Sequence, residues 1–136
     1  MFSPEIVIHV EKVKREREYE ELQKSPRSPF KDKEMWVIFL GAMMVGYREK
    51  TRTPLKGARH DLFRASTLKS EEEWLIRSVA IAEKGNLDIF LEEKEILNIA
   101  EEYANAGILI LYDMIFGGEL GDPIKKVEHY VKDVLV

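Results

Sequence analysis

The sequence has no cysteine. That excludes a disulfide framework, a thiolate metal site and a cysteine nucleophile, and it suits a reducing cytoplasm, the expected location. Histidine is scarce: His9, His60 and His129 stand far apart, and none has a second histidine three or four residues on. The two-histidine metal pattern of a helix is therefore missing, and neither a metal nor another cofactor is expected. Amides are few, with three Asn and one Gln beside 34% charged residues, a composition of thermophilic type. The glycine-rich stretch Gly117–Asp122 (GGELGD) lacks the Gly-Lys-Ser/Thr ending of a phosphate loop, and its Glu119 and Asp122 would repel phosphate. The longest apolar run has 13 residues, Met35–Tyr47. A membrane span needs about 20. The opening MFSPEIVIHVEK lacks the basic start and the cleavage site of a signal peptide. A soluble protein with no membrane partner is expected.

What is present fits one helical domain over residues 1–136. A chain of this length buries about two-thirds of its unfolded surface, enough for a core without cross-links. Helical spacing of apolar residues dominates. Residues 4–10 stay open between helix, because Ser3-Pro4 resembles a helix start, and strand, because Ile6, Val7, Ile8 and Val10 are β-branched. Glu11–Lys24 has only Val13, Tyr19 and Leu22 as larger apolar residues and reads as a surface helix. Its cations Lys12, Lys14, Arg15 and Arg17 interleave with Glu11, Glu16, Glu18 and Glu20, which favours pairing within the helix. Two prolines in Ser25–Phe30 break it.

Asp32 is a candidate cap for a core helix over about 33–47, with Trp36, Phe39, Leu40 and Met43 buried. Thr53-Pro54 and Gly57 mark a loop. Ser70 with Glu73 fits a capping box before a stripe of Leu75, Val79 and Ala82, ending at Gly85-Asn86. The longest helix should run over about 92–116, with Tyr103 and Gly107 facing inward and Asp113 on its wet edge. Asp122-Pro123 then opens a last helix. The expected architecture is mainly all-α, a compact bundle of four to five helices, with a small β element near the N-terminus or residues 58–64.

Charge is unevenly placed. Residues 1–69 carry net +5 and residues 70–136 net −9. The two halves can attract each other across one fold, or present a basic face to nucleic acid and an acidic one to protein. The densest cationic stretch is 48–64, with Arg48, Lys50, Arg52, Lys56, Arg59 and Arg64 against Glu49 and Asp61. Such spacing suits phosphate contact, with Thr51 and Thr53 as hydrogen-bond donors and Tyr47, His60 and Phe63 as stacking groups for unpaired bases. It also suits a solvated loop. Glu101–Gly107 is expected to pack inward through Tyr103 and Gly107, and the functional alternative for the same stretch is a recognition surface of Glu101, Glu102 and Asn105. Adjacent His60 and Asp61 could form an acid–base couple or a structural pair.

Three blocks, LGAMMVGYREKTRTPL (40–55), SVAIAEKGNLDIFLEE (78–93) and EEYANAGILILYDMI (101–115), resemble in order and spacing the DNA-phosphorothioation-system-associated protein 4 family. Gly46-Tyr47, Arg52, Pro54-Leu55, Ile81-Ala82 and Glu101–Gly107 correspond, within about residues 12–115. Ala106 stands where the family pattern has glycine, and the middle block ends Leu87-Asp88-Ile89-Phe90-Leu91. The resemblance implies an anti-phage defence setting, in which sulfur replaces a non-bridging phosphate oxygen and companion proteins restrict unmodified DNA. It carries no catalytic residues over.

Three functions stay open, in descending order. The first is an accessory component of a phosphorothioation modification or restriction system that binds DNA or joins a DNA-acting complex. The second is a helical protein–protein adaptor without DNA contact. The third is a nuclease using Asp61, Glu101 or Asp113. The expected partners are DNA and other proteins of the modification or restriction complex, and oligomeric state is left open.

Overall fold

The computed structural model describes residues 2–86 and 92–117. The order of elements is β1 (Val7–Glu11), α1 (Lys12–Lys14), a π-turn (Arg15–Tyr19), α2 (Glu20–Lys24), α3 (Met35–Arg48), β2 (Arg59–Arg64), a 3-10 turn (Ala65–Thr67), α4 (Ser70–Lys84), α5 (Glu93–Tyr112) and a second π-turn (Asp113–Gly117). The architecture is mainly α, as expected. The open question over residues 4–10 resolves as a strand, and both suspected β segments exist because they pair with each other, antiparallel. The helix expected after Pro123 lies outside the described residues. Among the described residues no helix is long and apolar enough to cross a membrane.

The centre is the pair α3 and α5. Ile38, Phe39, Ala42 and Met43 on α3 are fully buried, as are Ile96, Ile99, Ala104 and Ile108 on α5. Trp36 is only half-buried, because it is the second residue of the helix, where its indole N–H donates to Glu34. The helices touch through glycine. A Cβ on Gly107 would lie 1.7 Å from the Ala42 carbonyl oxygen, and one on Gly46 would lie 2.1 Å from that of Tyr103. Each glycine turns an α-hydrogen toward the opposing carbonyl, a weak C–H···O contact that only close backbones allow. Tyr103 packs inward beside this seam, edge-to-face with Tyr47 at 5.6 Å.

Several local expectations shift. Asp32 does not cap α3; it lies before the N-cap Glu34, in the left-handed region at φ 63°. The capping box of α4 is displaced by one residue. Lys69 is its N-cap, and the Lys69 N–H reaches the Glu72 carboxylate at 3.4 Å. Glu73 instead accepts from the Phe2 N–H at 2.9 Å. The buried stripe of α4 is Ile76, Val79 and Ala80, leaving Ala82 exposed. Gly85 ends α4 at φ 75°, a position that suits glycine. Residues 12–24 are helical but not simply superficial. The π-turn inserts an extra residue into the helical repeat and swings Glu18 and Tyr19 inward, with Leu22 one turn later, while Val13 is left exposed. The pairing expected there is present, in Lys12–Glu16 at 3.9 Å, Lys14–Glu11 at 3.5 Å and Arg15–Glu20 at 2.6 Å. Asp113 is exposed, on the wet edge.

Candidate functional site

The cationic stretch is built on a buried polar floor. Asn105, 2% exposed on α5, donates its amide to Glu11 Oε2 at 2.9 Å and to the carbonyls of Thr53 and Pro54 at 3.1 and 3.2 Å. Lys14 Nζ donates to the Asn105 side-chain and main-chain oxygens at 2.8 and 3.0 Å. Glu11 also accepts from the Lys56 N–H at 3.0 Å. Burial works against the charge of Glu11, but the Lys56 N–H, the Asn105 amide and Lys14 outweigh it and hold the carboxyl below its ordinary range. The loop from Thr53 to Lys56 is thus fastened from beneath by groups 45 to 52 positions away in the chain.

Arg52 is a second fastening. Its guanidinium donates to Glu102 at 2.8 Å and to Glu83 at 2.9 Å, joining the loop to α5 and α4. Burial opposes its charge, and the two carboxylates override that, raising its pKa. The Thr53 N–H adds a bond to the Glu102 carbonyl at 3.1 Å. Glu83 also accepts from the Tyr103 hydroxyl. That bond, with Arg52, holds Glu83 below its ordinary range, while burial and the Glu83 carboxylate push Tyr103 up to about 12.

The remaining predicted cations stand differently. Arg48, Lys50, Lys56, Arg59 and Arg64 are exposed, and none makes an ion pair among the described residues. Lys50 holds φ 54° in the turn that leaves α3. On β2 a bulge decides which side chains share a face. Ile8 pairs with Phe63 and His9 with Asp61, so Leu62 is the extra residue. Plain alternation would place Arg59 and Arg64 on opposite faces. The bulge brings both to the face that carries His9 and Asp61, because directly opposed residues share a face. It also sends Phe63 against Phe39 in the core, ring centres 5.5 Å apart, which removes Phe63 as a stacking group.

The candidate recognition residues point inward. Glu101 is 7% exposed, Asn105 forms the floor, and Glu102 is occupied by Arg52 and by the Asn98 amide at 3.1 Å. Packing, the expected reading of Glu101–Gly107, describes their surroundings. Glu101 accepts from the His9 N–H at 2.6 Å, and the His9 ring lies between Glu101 (3.5 Å) and Asp61 (3.1 Å). Burial raises the Glu101 pKa, opposed by the His9 contacts and Arg59. Asp61 therefore couples to His9 across the strands, not to its neighbour His60. Two of the three carboxylates considered for a nuclease do meet, at a histidine that spacing gave no reason to choose. Asp113 is not among them, and among the described residues no three His, Asp or Glu side chains are arranged so that they could hold a metal ion.

No curated protein and no solved structure matches the chain. The sequence profile of DNA sulphur modification system-associated protein 4 matches residues 12–127, which include β2, α3, α4 and α5 and all six predicted cations. The chain belongs to that family, whose name associates its members with a DNA sulphur modification system.

Proposed function

We propose that this protein is an accessory component of a DNA sulphur modification system, acting in anti-phage defence, that contacts DNA phosphates through Arg48, Lys50, Lys56, Arg59 and Arg64. One observation carries the reading. These five cations are exposed and make no ion pair within 4 Å among the described residues, while the backbone between them is fastened by Glu11, Lys14, Asn105 and Arg52. A fastened loop has already lost the conformational freedom that phosphate contact would otherwise cost. Arg52, engaged by two carboxylates, positions the loop rather than meeting phosphate. The expected binding is independent of base sequence, since cations alone carry no base readout.

The test is titration of duplex DNA, with and without phosphorothioate, across a salt series. Each neutralised phosphate contributes a log–log slope of about −0.9. Arg59→Glu with Arg64→Glu should flatten the slope and weaken binding, with the fold retained because both side chains are exposed. Absence of binding to either duplex at micromolar protein would reject direct contact. The adaptor reading would then stand, and one observation favours it: Val13 and Leu109, 68% and 43% exposed, line one groove of about 400 Å3 beside Glu16 and Arg17.

A further inference from the structure

A cleft of about 600 Å3 opens beside the end of α3, lined by Tyr47, Arg48, Lys50, Arg52, Ala82, Glu83 and Tyr103. Its volume falls within the range of about 300–1,000 Å3 usual for small-molecule sites. Its chemistry is polarised. Arg48 and Lys50 form one side and are unpaired among the described residues. The other side is fixed and carries a net negative charge: the one Arg52 guanidinium is held by two carboxylates, Glu83 and Glu102, and Tyr103 donates to Glu83. The two tyrosine rings meet edge-to-face at 83°, so each keeps the other's plane fixed. A phosphate would be repelled by ionised Glu83 and drawn to Arg48 and Lys50. A planar group would be accepted beside the tyrosines.

We propose that this cleft holds one unpaired nucleotide of a DNA strand, with its phosphate on Arg48 and Lys50 and its base against Tyr47. The inference rests on the DNA-contact reading and adds a preference to it. Duplex DNA keeps its bases stacked and offers only phosphates to the cations. A single strand, a gap or a flipped base also offers a ring face, and stacking on an aromatic side chain tolerates any base. The protein should therefore favour single-stranded or gapped DNA over intact duplex, and the cleft should be separable from the β2 arginines by mutation.

The experiment compares a short 2-aminopurine-labelled single strand with the blunt duplex of the same sequence. Wild-type protein should bind the single strand more tightly and quench the 2-aminopurine as it stacks. Tyr47→Ala should weaken the single strand by about 5- to 150-fold, the loss of one stacked base, and change duplex affinity little. Ala82→Met gives a second reading should Tyr47→Ala lower the melting midpoint. It narrows the cleft from an exposed helix position and should abolish quenching with the fold intact. Lys50→Gly removes a cation at a left-handed position that glycine adopts freely, and should reduce the single-strand salt slope by about 0.7. Equal affinity for both DNAs without quenching would overturn the cleft proposal and leave duplex contact standing. No binding to any DNA would reject both readings together.

Discussion

Helix α5 is held on two sides by opposite kinds of chemistry. Toward α3 the contact is dry and steric, with Gly46 and Gly107 admitting the backbone carbonyls of Tyr103 and Ala42. Toward β1 and the basic loop it is polar and charged, through Glu101 to His9, and Asn105 to Glu11, Lys14 and the loop carbonyls. The steric side tolerates no added atom, because backbone cannot move aside as a side chain can. The polar side tolerates change of shape but not loss of a partner, because a buried donor or acceptor left alone keeps its full desolvation cost. Stability of the pair α3–α5 should therefore respond to volume, and the order of the loop to hydrogen-bond count and pH.

The sharpest way to break the steric side is Gly107→Ala. The new methyl would meet the Ala42 oxygen at 1.7 Å, so α3 and α5 must separate. A loss of about 3 kcal/mol or more is expected from denaturant unfolding, at the upper end of overpacking penalties. Gly41→Ala, on the facing helix α3, is the control. Its Cβ would find Phe30 carbon at 3.4 Å, ordinary contact, and the change should be neutral or slightly stabilising through helix propensity.

On the polar side the largest effect should follow Asn105→Ala. It strands Glu11, two carbonyls and part of the Lys14 hydrogen bonding at once. A loss of about 2–3 kcal/mol is expected. Amide exchange should rise first at Lys56, whose N–H depends on Glu11 staying in place. If DNA contact needs a fastened loop, affinity should fall with it although no cation has been removed. Unchanged exchange at Lys56 would show that the floor does not order the loop.

These two sides were unequally legible in the sequence. The dry side could be read: the apolar run 35–47, Tyr103 and Gly107 stand at helical spacing, and a glycine inside a strong helical pattern points to a close neighbour. The polar side could not, because its bonds join residues about 45 to 94 positions apart, and charge pattern along the chain says nothing of such pairs. Arg52 read as one cation among six until Glu83 and Glu102 were brought to it. The alternative that makes Glu101 and Asn105 a surface rests on polar residues of a helix usually being exposed. The bulge at Leu62 and the π-turn at Arg15–Tyr19 each insert one residue into a repeat, so the shared face of Arg59 and Arg64 and the inward turn of Tyr19 do not follow from a regular period.

The two buried carboxylates sharpen the comparison through pH. Glu11 is held below its ordinary pKa by the Lys56 N–H, Asn105 and Lys14 against the effect of burial. Its contribution is present above the unfolded carboxyl value, about 4.3, and is lost as pH falls through the folded one. Glu11→Gln should cost about 1–2 kcal/mol at neutral pH, and the difference from wild type should shrink in acid. A difference that stayed constant down to acid pH would assign Glu11 a steric role.

Glu101 should behave with the opposite sign. Burial raises its pKa, so on raising pH the unfolded chain gives up this proton before the folded protein does. Across that window the folded state binds more protons, and stability attributable to Glu101 falls as pH rises. Glu101→Gln keeps an oxygen for the His9 N–H, which the carboxylate meets at 2.6 Å, and removes the ionisation. The expected change is the smallest here: no loss at neutral pH, and a flatter pH dependence just above the ordinary carboxyl range. His9 and Asp61 complicate the sign, since a charged His9 would favour ionised Glu101. The double variant Glu101→Gln, Asp61→Asn removes both carboxylates from the ring. If the flattening seen with Glu101→Gln alone disappears in the Asp61→Asn background, the pH response belongs to the histidine cluster as a unit. If it persists, burial of Glu101 is sufficient, and the polar side of α5 holds one carboxylate stabilised by its charge and another destabilised by it.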